Sequence, residues 1–588
     1  MIAMMIRFAG ILMWYGGLVL CAGALGGAAP PVAAPLPADL VVINAKVITV
    51  DPQSRIAQAV AIQAGRFVAV GTNDDVRPFI GGRTRAIDAH GRAVIPGLID
   101  SHVHATGVAR AEADQPFVNL SSIAEIQDWV RAQAARWPAG TWIFSPRVFP
   151  TRVRERRFPT RAELDVAAPR HPVVIDGAYA LMVNSAALRA AQITVATPDP
   201  QGGAIVRDAR GEPTGLLRNV GGLLSRFQRR AREALPLDGL ARVHEQYVRA
   251  GITSVIERGA SVEDYRAYET LKREGRLQVR AVITIRIPRP QEAQATERFI
   301  RTLPFKPRAG DEWLKMGPLK LVVDGGILAG TSFMRQPYGL TARSLYGVDD
   351  PSYRGFLTVT RERIAATVLI GHQRGYQMAA HVTGNAGVDA VLDAFEAAQK
   401  QFPSPDRRHT LIHAYFADPD TAMRAARLGV AVDTQPAWYY KDADALAPAL
   451  GLDRLASFIG LRTWRAAGVH TAINTDHMFG LEPNTALNPF NPFLTLAVAV
   501  TRRTEGGQVI GPDERVTREQ ALRMMTIEAA RVSFDETSKG SIETGKLGDL
   551  TILSADLLTC PEDRIQAITP DVTIIGGRVA YERSKKHE

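Results

Sequence analysis

The chain has 588 residues, 46% apolar and 22% charged, enough for a large buried core and without the bias of a disordered or fibrous protein. Its net charge is +10, yet the arginines are interspersed with acids, as in RVRERRF (152–158), which describes a solvated basic surface and excludes a nucleic-acid tract. Only Cys21 and Cys560 occur, which excludes a disulfide framework and a thiolate metal site.

Residues 1–34 read as an address. After Arg7, 22 residues (8–29) carry no charge and lead into a Pro/Ala-rich leader, with Ala22 and Ala24 spaced as in a signal-peptidase site. The expectation is export to the periplasm, with no stable membrane insertion once the leader is cleaved. The run is also long enough to span a bilayer, so an uncleaved membrane anchor is the alternative. From residue 39 the texture becomes β-rich (DLVVINAKVITV, AVAIQAGRFVAVG), and it returns near the C-terminus in GKLGDLTILSAD and VTIIGGRVAYER. Residues 39–95 and 537–585 are therefore expected to form one small β-sandwich-like domain, with 96–536 inserted between them.

The middle alternates strand-like and helix-like runs, the βαβ pattern of a parallel sheet. Strand candidates fall at 97–104, 251–259, 279–287, 319–326, 376–384, 409–416, 429–438 and 470–476. Helical runs such as SVEDYRAYETLKREG and VDAVLDAFEAAQKQF separate them. Eight such units predict an α/β fold, a (β/α)8 TIM barrel, with residues of about 105–245 elaborated over its mouth.

Chemistry in such a barrel sits at the C-terminal strand ends. There the sequence places His102 and His104 in PGLIDSHVH, Lys320 and Asp324 in LKLVVDGG, His381 in AAHVTG, His413 in LIHA and Asp476 in NTD. Strand alternation puts Asp100, His102 and His104 on one face. One His-x-His is weak; five strand ends supplying His and Asp to one mouth describe a zinc-type site.

These motifs, in this order and over roughly residues 40–582, resemble the metal-dependent amidohydrolase superfamily, in particular the family-3 branch that contains N-substituted formamide deformylase-like enzymes. The resemblance implies a hydrolase that attacks an amide-type C–N bond of a small molecule with metal-activated hydroxide. It implies His102 and His104 on one divalent ion, zinc first among candidates, and His381 and His413 on a second. Lys320 would be carboxylated to bridge two ions, and Asp476 would be both ligand and proton carrier. A carbamate, urea, ester or lactone substrate would suit the same machinery, and a binding protein that kept the fold is the reading from another class. Departures from the family pattern surround the ligands: Asn385 after His381, Ile412 before His413, and Asp176-Gly-Ala178-Tyr in the insertion. Gln435, Trp438, Tyr439, His477 and Phe333 are expected, more weakly, to contact substrate, and the apolar NPFNPFLTLAVAV stretch allows a homo-oligomer.

Overall fold

A computed structural model describes residues 35–227, 235–288, 290, 292–404 and 406–584. The expected leader at 1–34 lies outside the described residues. Among them no helix is long and apolar enough to cross a membrane.

All eight expected barrel strands form: Leu98–Val103, Ile252–Ala260, Arg280–Arg286, Leu314–Val322, Met378–Val382, Thr410–His413, Ala431–Thr434 and Thr471–Ile473. They lie side by side in chain order and every neighbouring pair is parallel. The seam between the eighth and first strands closes where His104 N donates to His477 O at 2.8 Å. Parallel strands covered on both faces read as continuous apolar runs, which is why the sequence exposes them. Ile99, Ile256, Val282, Ala431 and Ala472 fill the lower barrel, whereas Ile283, Ile285, Leu319 and Leu321 face the surrounding helices.

Local sequence fixes the helices between strands. Val262–Arg273 starts at a capping box, with Asp264 N donating to Ser261 Oγ (3.1 Å) and Ser261 N to Asp264 Oδ2 (2.9 Å). It buries Tyr265, Tyr268 and Leu271 on one stripe.

The two chain ends meet in one six-stranded sheet, in the order Arg578–Glu582, Pro570–Ile575, Leu550–Leu553, Ala93–Pro96, Lys46–Ile48, Ile56–Ala57. A four-stranded sheet, Arg66–Gly71, Ala59–Gln63, Leu40–Ile43 and Arg85–Asp88, shares its core through Leu40, Val60, Phe67, Val94, Leu550 and Ile574. The glycine turns of the two ends clip together, Gly548 N donating to Gly65 O at 2.7 Å.

The segment between the first and second barrel strands is a folded layer with its own sheet, ordered Ala204–Arg207, Pro213–Arg218, Ala180–Val183, Val173–Asp176, Ile143–Arg147. Its strand ends carry Arg147 and Tyr179 to the barrel mouth.

Candidate metal centre

The first barrel strand breaks the alternation its sequence suggests. Register to the second strand runs from Asp100–Val255 to Val103–Glu257, three steps against two, so the first strand carries one extra residue. Ser101 consequently turns into the barrel and donates to Asp433 Oδ1 at 2.5 Å. Asp100, expected beneath the histidines, lies instead against the turn after the eighth strand, accepting from Thr475 N (3.2 Å) and Oγ1 (2.6 Å). It thereby clamps the turn that presents Asp476, whose φ of +50° is in the left-handed region.

His102 and His104 still converge, their Nε2 atoms 3.3 Å apart. Asp476 Oδ1 lies 3.4 Å from His102 Nε2 and 3.5 Å from His104 Nε2. These three ligand atoms fall within 4.8 Å of one another, a spacing able to hold an ion. Trp438 Nε1–H donates to Asp476 Oδ2 at 3.0 Å, but the buried Oδ1 has no hydrogen-bond partner. Such an orphaned carboxylate oxygen is costly unless a cation meets it.

The second pair tells a parallel story. His413, at the end of the sixth strand with φ +76°, points Nε2 at His381 Nδ1, 2.8 Å away. The remaining ring nitrogens face oxygens that only accept: His413 Nδ1 lies 2.6 Å from Gln435 Oε1 and His381 Nε2 lies 3.0 Å from Gly325 O. Gln435 is held in that orientation by its amide nitrogen donating to Asp433 O at 3.1 Å. Each ring therefore spends its one N–H on a carbonyl. Burial keeps both neutral, pulling His381 down to about 3 and His413 well below the usual histidine range. Two lone pairs then face each other, an arrangement that fits a divalent ion.

Lys320 is buried on the fourth strand, and its charge further depresses all four histidines. Burial lowers its own ammonium and raises Asp476, while the attraction between the two opposes both shifts. Asp324, two residues beyond the end of that strand, faces no ligand. It accepts from Thr383 N, Gly384 N and Phe333 N at 2.8–3.0 Å and fixes the loops around His381.

The groups open onto a cavity of about 450 Å³ walled by Phe149, Trp438, Phe479, Tyr179, Arg147 and Arg286. Of the five residues expected to touch substrate, Trp438 lines it. Gln435 is fully buried behind His413, answering what orients that ring when Ile412 precedes it. Tyr439 donates to Arg502 O at 2.6 Å, and His477 is consumed by Tyr247 (2.8 Å) and Gly480 O (2.7 Å). Phe333 contributes backbone: its N–H to Asp324, its O to Gly387 N. Asn385, at the family's acidic position, accepts from Arg335 N at 2.8 Å. Sequence reasoning missed Arg147, Arg286 and Tyr179, whose hydroxyl lies 3.4 Å from His381 Nδ1. For Arg286 the signal existed, a charged residue at an inward position at the C-terminal end of a barrel strand.

Residues 85–581 match the model of the Amidohydrolase family. The chain is 29% identical over 559 residues to an N-substituted formamide deformylase of Arthrobacter pascens, covering 93% of this chain and 99% of that one. Its fold is similar to a metal-dependent hydrolase of Pyrococcus horikoshii (TM-score 0.64, 22% identity, 89% and 99% covered). It is also similar to a zinc-complexed atrazine chlorohydrolase of Arthrobacter aurescens (TM-score 0.52, 14% identity, 92% and 95% covered).

Proposed function

Because the chain belongs to the amidohydrolase family, we propose that it is a metal-dependent hydrolase that cleaves an amide-type C–N bond of a small molecule. The observation that carries this is the mouth of the barrel, where Asp476 Oδ1 and the facing nitrogens of His381 and His413 are left open beside a cavity of about 450 Å³. That volume suits a small substrate. N-substituted formamides and related N-acyl amines are the substrate class favoured by the deformylase likeness. Phe149 and Phe479 offer an apolar wall for the N-substituent.

His102, His104 and Asp476 would hold one ion, and His381 with His413 a second; zinc is favoured by the donor set and by the zinc-bound structural relative. When bound, such an ion supplies a Lewis acid that polarises a carbonyl and acidifies water to a pKa of about 7. Lys320 is suited to bridge as a carbamate: burial favours its free amine, whose nitrogen adds to CO₂ with loss of one proton to solvent. Trp438 pins Asp476 Oδ2, leaving Oδ1 to take the proton of the attacking water. As the new C–O bond forms and C–N breaks, Asp476 returns that proton to the departing amine. Tyr179, kept protonated by burial, is placed to donate to the oxygen of the attacked carbonyl. Export through residues 1–34 remains our reading of the uncharged run that follows Arg7.

The test is metal analysis with turnover of N-benzylformamide and a panel of N-acyl amines. Bound divalent metal with amine release is expected; metal-loaded protein that leaves every amide intact overturns the reading.

A further inference from the structure

The cavity wall carries three arginines, and two of them are neutralised. Arg258 is paired with Asp433 at 2.8 Å beneath the histidines, and Arg147 with Asp176 at 3.0 Å on the covering layer. Arg286 has neither a carboxylate nor a hydrogen-bond acceptor among the described residues, although it lines the same cavity.

Its position is set by strand register. Arg286 on the third strand is the direct neighbour of Lys320 on the fourth, and Ile287 N donates to Lys320 O at 2.8 Å. Register partners in a parallel pair project to the same face, so the guanidinium and the Lys320 side chain both enter the barrel mouth. One layer lower on that face, Arg258 Nη1 donates to Thr284 Oγ1 at 3.3 Å. Arg286 also borders an outer cavity of about 680 Å³, so it stands at the neck between the two spaces.

Arg286 is exposed to the cavity and the neighbouring Lys320 adds positive potential there, so its guanidinium is open to an entering anion. We propose that Arg286 anchors a carboxylate of the substrate, so that the amide cleaved belongs to an N-acyl compound bearing a carboxylate a few bonds from the scissile C–N bond. The planar guanidinium fork matches a carboxylate with two parallel hydrogen bonds. The apolar residues Phe149, Phe479 and Ile327 in the same cavity lining suit an aryl or alkyl group. This deepens the amide-hydrolase reading and rests on it for the scissile bond, though not for the anion.

Two measurements on the zinc-loaded full chain test it. The first is calorimetric binding of hydrocinnamate against neutral hydrocinnamide, in the natural protein and in Arg286→Gln and Arg286→Lys. The second compares turnover of N-formylphenylalanine with that of its carboxamide. The acid is expected to be preferred in both, Arg286→Gln to weaken hydrocinnamate by about 10- to 100-fold, and Arg286→Lys to recover part of that loss. Unchanged hydrocinnamate affinity in Arg286→Gln would place the acid on the metal and overturn the proposal. So would natural protein that prefers the acid in neither measurement. Amides cleaved without dependence on Arg286 sink the anchor alone; Arg286-dependent binding with no amide cleaved sinks the hydrolase reading and leaves the anchor standing.

Discussion

One layer below the histidines, Arg258 and Asp433 lie fully buried in the barrel and their charges are enclosed. Asp433 Oδ1 accepts from Ser101 (2.5 Å) and Asn474 (2.6 Å), its Oδ2 accepts from Arg258 Nη2 (2.8 Å), and Arg258 Nε donates to Ser101 O (3.0 Å). At the mouth, Asp476 engages one carboxylate oxygen and leaves the other bare, and His381 and His413 each engage one nitrogen. The same residue types thus do different work according to whether their hydrogen bonds close. A closed buried charge holds the barrel together, and an open one is available to a ligand.

The strongest way to break this contrast is Asp476→Asn. We expect kcat/KM to fall by about 10²–10⁴-fold with no loss in the Tm of metal-free protein, since Oδ1 has no protein partner to lose. A drop in that Tm would mean the mouth is closed after all. In the floor, Asp433→Ala leaves Arg258 buried and unpaired and should cost about 3–5 kcal/mol in urea unfolding. A loss within experimental error would show that the floor does not carry the fold. At the boundary, Gln435→Leu removes the acceptor of His413 Nδ1–H and should weaken metal binding about 10- to 100-fold by chelator competition. Unchanged affinity would return Gln435 to the closed set.

The smallest effect concerns Glu257, a closed carboxylate behind the first strand that accepts from Thr106 N and Oγ1 (both 3.2 Å) and Tyr268 Oη (3.0 Å). Burial raises it from 4.5 to about 7. The folded protein therefore holds a proton there that the unfolded chain has released, and this contribution is lost as pH rises from 4.5 through 7. Glu257→Gln should flatten the decline in stability across that window, by at most about 1.4 kcal/mol per pH unit, read by urea unfolding at both ends.

The barrel was legible because its strands are largely apolar runs separated by helical ones, and the structure brings the histidines at the ends of the first, fifth and sixth strands to one end with Asp476. The extra residue in the first strand was not legible, because a bulge leaves no compositional trace and reverses the facing of Asp100 and Ser101. Gln435 read as a substrate contact because its partner His413 lies on a neighbouring strand, and only register makes them adjacent. Arg286 shows the reverse: the inward series Arg280, Val282, Thr284, Arg286 was in the sequence, but its meaning depends on the acid that Arg147, Arg258 and Arg280 find and that Arg286 lacks among the described residues.

The sheet that joins the chain ends also has a consequence in time. Val94 and Ile95 find their partners in Ile552 and Thr551, so a growing chain carries Ala93–Pro96 with one open edge until Leu550–Leu553 has been made. Loop closure over that span is slow compared with the local pairing of successive barrel strands. The barrel can begin to assemble during synthesis, and Lys46–Ile48 can pair one edge of the strand that leads into His102 and His104, but its second edge is held only after Leu550–Leu553 arrives. Loss of the last few dozen residues would act on the centre without removing any side chain from it, by delaying or preventing the moment at which its first strand is locked.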